Sequence, residues 1–152
     1  MKIYIASDHG GYKLKKELKK HLRSKGYEIE DLGNTELDPN DDYPDFIFPL
    51  AVRVAKEKDS LGIILGRSGN GEAITANKVK GIRAAVCLTE EMAKKARSDN
   101  FANVLSLGAD YIDAETARKV VNVFLETSFS EEERYKRRVE KLASYINEQE
   151  KV

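Results

Sequence analysis

Residues 61–72 read LGIILGRSGNGE, an apolar run that leads into a loop with glycines at positions 66, 69 and 71. The run at 61–65 has the length and composition of a buried strand. The glycines after it allow the backbone to curl so that several N–H groups converge, and the helical pattern at 71–79 adds the partial positive charge of a helix start. The stretch predicts a buried strand, an anion-binding loop and a helix, which is the repeating unit of a parallel α/β sheet.

The same alternation of strand-length runs and helical patterns continues along the chain. Further strands are predicted at residues 3–6, 27–32, 82–87 and 104–107. Helices are predicted where Leu14, Leu18 and Leu22 recur ahead of Gly26, then at residues 46–57, 71–79, 90–98, 114–126 and about 131–148. The pattern predicts an α/β fold of three layers, with a five-stranded parallel sheet and helices on both faces. Ligands bind beyond the carboxyl ends of the strands in such sheets.

Several details of these elements can also be predicted. The run at 82–87 indicates a second buried strand, whereas the acidic residues of 27–32 place that strand nearer an edge. Pro49 is expected to limit its helix unless it falls in the first turn. Ser130 and Glu133 have the spacing of a capping box at the start of the last helix. That helix carries an apolar stripe at Tyr135, Val139, Leu142 and Ile146.

Composition narrows the class of protein. The 152 residues include 26 Lys and Arg against 26 Asp and Glu, so the formal net charge is zero. A neutral chain of this length predicts one domain over 1–152 and argues against nucleic-acid and anionic-membrane partners. No apolar run approaches the roughly 18 residues of a membrane span. Because Cys87 is the single cysteine, no internal disulfide can form, which indicates a reducing, cytoplasmic location.

The glycine loop fits neither of two familiar nucleotide motifs. A phosphate-binding P-loop needs lysine where this chain has Glu72, and the dinucleotide fingerprint needs a third glycine where it has Ile74. A tight strand-to-helix turn remains an alternative interpretation. A carboxylate beside an anion cradle is a poor phosphate ligand, however, and it favours a proton carrier at Glu72.

Two other places carry candidate chemistry. Asp8 and His9 end the first strand, where His9 could act in acid–base work and Asp8 could orient it, or Asp8 could simply cap a helix. Arg134 and Arg138 are four residues apart on the last helix and could clamp a phosphate, although a mixed charge run is usually a solvated face. His21 lies in a lysine-rich helix and is expected to be solvated.

Taken in order, these residues resemble the ribose-5-phosphate isomerase B family, which includes the galactose-6-phosphate isomerase subunits. The matching segments are residues 7–11, 42–46, 69–71, 76–79, 81–84, 96–97, 100 and 102–105, with Arg134, Arg137 and Arg138. The resemblance implies a Rossmann-like fold and a homodimer, sometimes a dimer of dimers, whose sites use both chains. It implies interconversion of an aldose phosphate and a ketose phosphate through an enediol, with no metal and no other cofactor.

The resemblance also implies roles for individual residues. Many members use a cysteine as the base at the position of Gly66, whereas this chain resembles a subgroup in which the base is a glutamate, here Glu72. Ser68 and the amides of residues 67–71 would form the oxyanion cradle, and Asn100 would help to hold the enediolate. The expected substrate- and phosphate-binding residues are Asp8, His9, Tyr43, Arg67, Gly69, Asn70, Gly71, Asp110, Arg134 and Arg138, the last two supplied by the partner chain.

Three positions depart from the family pattern. Asp99 stands where the family has the histidine proposed to open the sugar ring, and Asp110 stands where it has a phosphate-binding arginine. Tyr135 replaces a second histidine. An aspartate at 110 would repel a phosphate. Two alternatives therefore stay open, namely an isomerase acting on a different or non-phosphorylated sugar, and a non-catalytic module that binds a sugar or a nucleotide.

Overall fold

A computed structural model describes residues 1–149 of the chain. Its strands are β1 (Lys2–Ser7), β2 (Glu28–Asp31), β3 (Leu61–Gly66), β4 (Ala84–Val86) and β5 (Val104–Gly108). Its helices are α1 (Tyr12–Ser24), α2 (Pro44–Lys56), α3 (Asn70–Ala76), α4 (Glu90–Asn100), α5 (Ala114–Glu126) and α6 (Glu133–Gln149). The strands form one sheet in the order β2-β1-β3-β5-β4, and every pair is parallel.

The sheet is covered on both faces, as the alternation predicted. One core joins it to α1, α4 and α5, and a second core joins the opposite face to α2 and α3. The central strand β3 is buried along its whole length. The Rossmann-like three-layer arrangement is confirmed, and β2 lies at an edge as its acidic residues indicated.

The first βα unit shows how the sequence sets these boundaries. Leu14, Leu18 and Leu22 are buried on one side of α1. Gly26 follows the helix with φ +84°, a left-handed conformation that favours glycine. Lys15 is 1% exposed on the same helix, and its Nζ donates to the carbonyl oxygens of Gly33 and Asn34 and pairs with Asp31.

Two expectations about the elements are wrong. The run at 82–87 does not form a buried strand, because β4 comprises only Ala84–Val86, pairs with β5 alone and is half-buried at the sheet edge. Pro49 does not limit α2 although it lies well beyond the first turn. The helix begins at Pro44, and Pro49 lies on its exposed side between helical neighbours.

Two local contacts also differ from expectation. The capping box does not form, because Ser130 Oγ accepts a hydrogen bond from the amide of Glu132 at 3.2 Å and α6 begins only at Glu133. His21 is not solvated. It is half-buried, with Nε2 2.9 Å from Asn122 Oδ1, so it bridges α1 and α5.

Helix α6 leaves part of its apolar stripe uncovered. It packs against α4, while Leu142 of the stripe and Tyr145 beside it are 51% and 57% exposed. A cavity of about 540 Å³ lies between this helix, residues 80–84 and Asn100. Within residues 1–149, no helix combines the length and apolar character needed to cross a bilayer.

Candidate active site

The glycine loop lies where the strand order reverses. The chain runs from β1 outward to β2 and then returns to β3 on the other side of β1, so the crevice between β1 and β3 is a topological switch point. Parallel α/β sheets bind ligands at such points, beyond the carboxyl ends of the strands. Asp8 and His9 follow β1 and residues 67–71 follow β3, which brings these two predicted site segments together.

The loop is fixed by hydrogen bonds from its own residues and from β5. Gly69 precedes α3 with φ +80°, and its carbonyl oxygen accepts a 2.6 Å bond from the buried hydroxyl of Ser106. Ser68 Oγ accepts a bond from the amide of Asn70 at 3.2 Å. A loop held in this way keeps its amides in place without rearrangement when charge develops on a bound oxygen.

The carboxylate of Glu72 points back from α3 toward the end of β3. Its side chain is buried, with 4% of the residue exposed. A Cβ on residue 66 would overlap Oε1 of this carboxylate, so the absence of a side chain at Gly66 makes the room that Glu72 occupies. The buried position of Glu72 therefore requires glycine at position 66.

Burial raises the pKa of Glu72 above its usual value, and the charge of Asp8 raises it further. The backbone amides of Glu72 and Gly69 act in the opposite direction by hydrogen bonding. A buried carboxylate with a raised pKa is suited to proton transfer. By contrast, burial raises the pKa of the Cys87 thiol to about 11, which keeps the sulfur protonated and unsuited to act as a base.

His9 is held by Asp41, a residue that the sequence did not single out. Asp41 Oδ1 lies 2.6 Å from His9 Nδ1 and accepts a 3.0 Å bond from its backbone amide. Asn34 Nδ2 donates to the other oxygen of Asp41 at 2.5 Å. The pKa of His9 is raised, mainly by the hydrogen bond to Asp41. The imidazole is thus oriented and inclined to carry a positive charge beside the cradle.

His9 and Asp41, together with Asp8, could be considered as metal ligands. Asp8, His9 and Asp41 each place one ligand atom within 4.8 Å of the others. The 2.6 Å contact between His9 Nδ1 and Asp41 Oδ1 is direct, however. A cation bonded to both atoms at about 2.1 Å would hold them farther apart. The geometry therefore fits a hydrogen-bonded pair better than a metal centre.

Tyr43 and Asp110 border the loop and contact its residues. A Cβ on Gly71 would lie 2.7 Å from Cζ of Tyr43, so this ring packs directly on the loop, and Tyr43 remains 37% exposed. Asp110 Oδ2 lies 3.6 Å from Arg67 Nη1. The aspartate that the sequence suggested would repel an anion is therefore paired with an arginine of the loop.

Four of the predicted residues are not brought to the loop within the described chain. Asp99 pairs with Lys95 at 3.8 Å and accepts a bond from Ser98, while Asn100 lines the cavity beside α6. Arg134 pairs with Glu132 at 2.8 Å, and the guanidinium groups of Arg134 and Arg138 lie over the ring of Tyr135. These residues lie on α4 and α6, which pack against each other.

Comparison with known proteins identifies relatives along almost the whole chain. The model of the family described as Ribose/Galactose Isomerase matches residues 3–142. The ribose-5-phosphate isomerase B of Mycolicibacterium paratuberculosis is 41% identical over 145 residues, covering 95% of this chain and 91% of that protein. The probable ribose-5-phosphate isomerase B of Mycoplasma pneumoniae is 44% identical over 146 residues, covering 96% and 95%.

Solved structures of similar proteins give the same result. The crystal structure of ribose-5-phosphate isomerase B from Mycoplasma genitalium with bound ribulose-5-phosphate superposes with a TM-score of 0.93 at 42% identity, covering 97% of each chain. The corresponding enzyme of Clostridium thermocellum gives a TM-score of 0.92 at 41% identity, covering 98% of this chain and 99% of that one.

Proposed function

The chain belongs to the ribose/galactose isomerase family and is an aldose–ketose isomerase, and we propose that it interconverts ribose 5-phosphate and ribulose 5-phosphate with Glu72 as the base. The observation that carries this proposal is the buried carboxylate of Glu72 beside the glycine loop, in the space that Gly66 leaves free. The Mycoplasma genitalium relative, crystallised with ribulose-5-phosphate, supports the choice of substrate.

The reaction is a proton transfer along the sugar. Glu72 removes the proton from C2 of the open-chain aldose, which leaves an enediolate with negative charge shared toward O1. Glu72 then returns the proton to C1, and the hydrogen of the hydroxyl on C2 moves to O1, so that atoms and charge balance. The raised pKa of Glu72 suits both steps, since one group must accept and then donate the same proton.

The loop supplies stabilisation of the enediolate in this proposal. The Ser68 hydroxyl and the amides of Arg67, Ser68 and Gly71 donate to the developing oxyanion, while the amides of Asn70 and Gly69 bond to Ser68 and Glu72. The fixed loop avoids the cost of reorganising these donors. Asp8 and His9 contact the sugar and its phosphate from the end of β1, and Tyr43 borders the substrate from the side of Gly71.

A substrate assay tests the proposal. The purified protein should convert ribose 5-phosphate to ribulose 5-phosphate, and Glu72→Gln should lower kcat/KM by at least about a hundredfold because the general base is lost. The matched control is Glu126→Gln, which removes an exposed glutamate on α5. Conversion of free ribose or of a hexose 6-phosphate but not of ribose 5-phosphate would contradict the choice of substrate.

We propose in addition that the active protein is a cytoplasmic homodimer. The uncovered apolar residues Leu142 and Tyr145 on α6 support an interface. A partner subunit would also account for the separation of Asn100, Arg134 and Arg138 from the glycine loop, because residues from α4 and α6 of one chain could complete the site of the other. The buried thiol of Cys87 is compatible with a reducing compartment.

A further inference from the structure

Both the backbone and the side chain of Arg67 are placed to contact an anionic substrate. Its amide belongs to the oxyanion loop, and its side chain extends toward the end of β1. A Cβ on Gly10 would lie 2.6 Å from Arg67 Cγ, so the arginine stem crosses directly over Gly10, the neighbour of His9. The positive charge of Arg67 acts on His9, where it opposes protonation of the imidazole. The charge of Arg67 therefore lies close enough to act on His9.

Asp110 approaches Arg67 from the end of β5. The amide of Asp110 donates to the carbonyl oxygen of Arg67 at 3.0 Å, which ties the two loops together by their backbones. The side chains form an ion pair with 3.6 Å between Nη1 and Oδ2. The arginine and aspartate side chains are 68% and 51% exposed, so water and small anions can reach both.

In an exposed ion pair of this kind, another anion can readily replace the carboxylate. Ion pairs between exposed side chains contribute little to stability, because solvent screens them and their ordering costs entropy. A phosphate group offers more negative charge than a carboxylate and can accept two parallel N–H bonds from a guanidinium. An incoming phosphate should therefore replace Asp110 as the partner of Arg67 at small cost.

We propose that the Arg67 guanidinium binds the phosphate group of the substrate and that Asp110 is the carboxylate which this phosphate displaces. The inference rests on the proposed sugar-phosphate activity. In that proposal only the backbone amide of Arg67 has a role, as a donor to the oxyanion, and the inference adds a role for its side chain. It also gives Asp110 a role. By neutralising the guanidinium in the empty site, Asp110 lowers the affinity for phosphate and so limits retention of product.

The inference makes opposite predictions for the two partners. Arg67→Gln removes the cation and should weaken binding of inorganic phosphate, measured by titration calorimetry, by about tenfold. It should raise KM for ribose 5-phosphate similarly and change kcat less. Asp110→Asn removes the competitor and should tighten phosphate binding by about threefold.

The exposed pair formed by Arg53 and Glu30, with 3.3 Å between Nη2 and Oε1, provides matched controls away from the crevice. Arg53→Gln and Glu30→Gln should leave phosphate binding unchanged. Equal phosphate affinity in Arg67→Gln and the wild-type protein would overturn the role of Arg67, and weaker binding in Asp110→Asn would overturn displacement. A wild-type protein that binds phosphate through Arg67 but does not convert ribose 5-phosphate would support this inference and contradict the proposed function.

Discussion

At the scale of single residues, Gly66 provides the space in which Glu72, the proposed base, is buried. The loop residues could be recognised from sequence because a strand followed by spaced glycines predicts an anion-binding turn from neighbouring residues alone. The role of Gly66 could not be recognised in this way, because it depends on the side chain of Glu72, six positions later, pointing back toward the end of β3. Asp41 was missed for a related reason. It lies in a polar loop without periodicity, 32 residues from the His9 that it holds.

Gly66→Ala tests the dependence of Glu72 on this space. The added methyl group would overlap the carboxylate and force it out of its buried position, so we expect kcat/KM to fall by about a hundredfold, the typical contribution of a positioned base. Combining Gly66→Ala with Glu72→Gln should cause little additional loss, because both changes remove the same group. Circular dichroism should show a retained fold. Full activity in Gly66→Ala would refute the assignment of this space to the base.

The pH dependence of activity should report the environment of Glu72. A base must be ionised, and burial together with Asp8 raises the pKa of Glu72 above 4.5. The acid limb of kcat/KM should therefore have its midpoint above pH 4.5, with activity lost as pH falls through it. Asp8→Asn removes a raising charge and should move that midpoint downward. An acid limb that remains in place in Asp8→Asn would argue against this coupling.

At the scale of elements, periodicity predicted which segments are helices and strands, and acidic residues placed β2 at an edge, but nothing in the sequence marked β4 as the other edge strand. The apolar run at 82–87 buries Ile82 and Cys87 at its ends, whereas Ala84–Val86 between them pairs with β5 alone. Alternation along the chain carries no information about strand order. Likewise, Asn100 at the end of α4 lines the cavity beside α6, a placement that the order of residues along the chain does not reveal.

The buried cation of Lys15 joins α1 to Asp31 and to the loop after β2. Lys15→Met would leave the carboxylate of Asp31 and two backbone carbonyl oxygens without their buried partner. Lys19 Nζ still pairs with the other oxygen of Asp31 at 2.5 Å, so the loss falls mainly on the two carbonyl oxygens, and we expect the free energy of unfolding to fall by about 1–3 kcal/mol. Lys16→Met changes an exposed neighbour on the same helix and should have a much smaller effect. Urea denaturation measures both, and equal stability of the two variants would show that Lys15 does not fasten the loop.

At the scale of the whole molecule, the net charge of zero gives no information about where charged side chains cluster. Equal numbers of basic and acidic residues argue against a general polyanion binder, yet His9 and Arg67 lie together at one crevice. The fold could be predicted from alternation and from the resemblance. The proposed completion of the site by a partner, by contrast, would depend on contacts between chains, which periodicity and spacing within one chain do not describe.

Subunit complementation tests the proposed dimer and its shared sites. We expect Glu72→Gln and the double variant Arg134→Ala with Arg138→Ala to be nearly inactive when prepared separately. After mixing and subunit exchange, a two-fold dimer should recover about a quarter of wild-type activity, because half of the dimers are mixed and each holds one intact site. Light scattering should show a dimer before and after mixing. Mixed dimers without recovered activity would show that the arginines act within their own chain.

The central claim is that Glu72 moves a proton between C2 and C1 of a sugar phosphate, and isotope exchange measures this step directly. In deuterium oxide, nuclear magnetic resonance should show the wild-type protein introducing deuterium at C2 of ribose 5-phosphate and at C1 of ribulose 5-phosphate, since a proton held on a carboxylate exchanges with solvent. Glu72→Gln should abolish both signals while phosphate binding persists. Deuterium incorporation by Glu72→Gln at the wild-type rate would contradict the account.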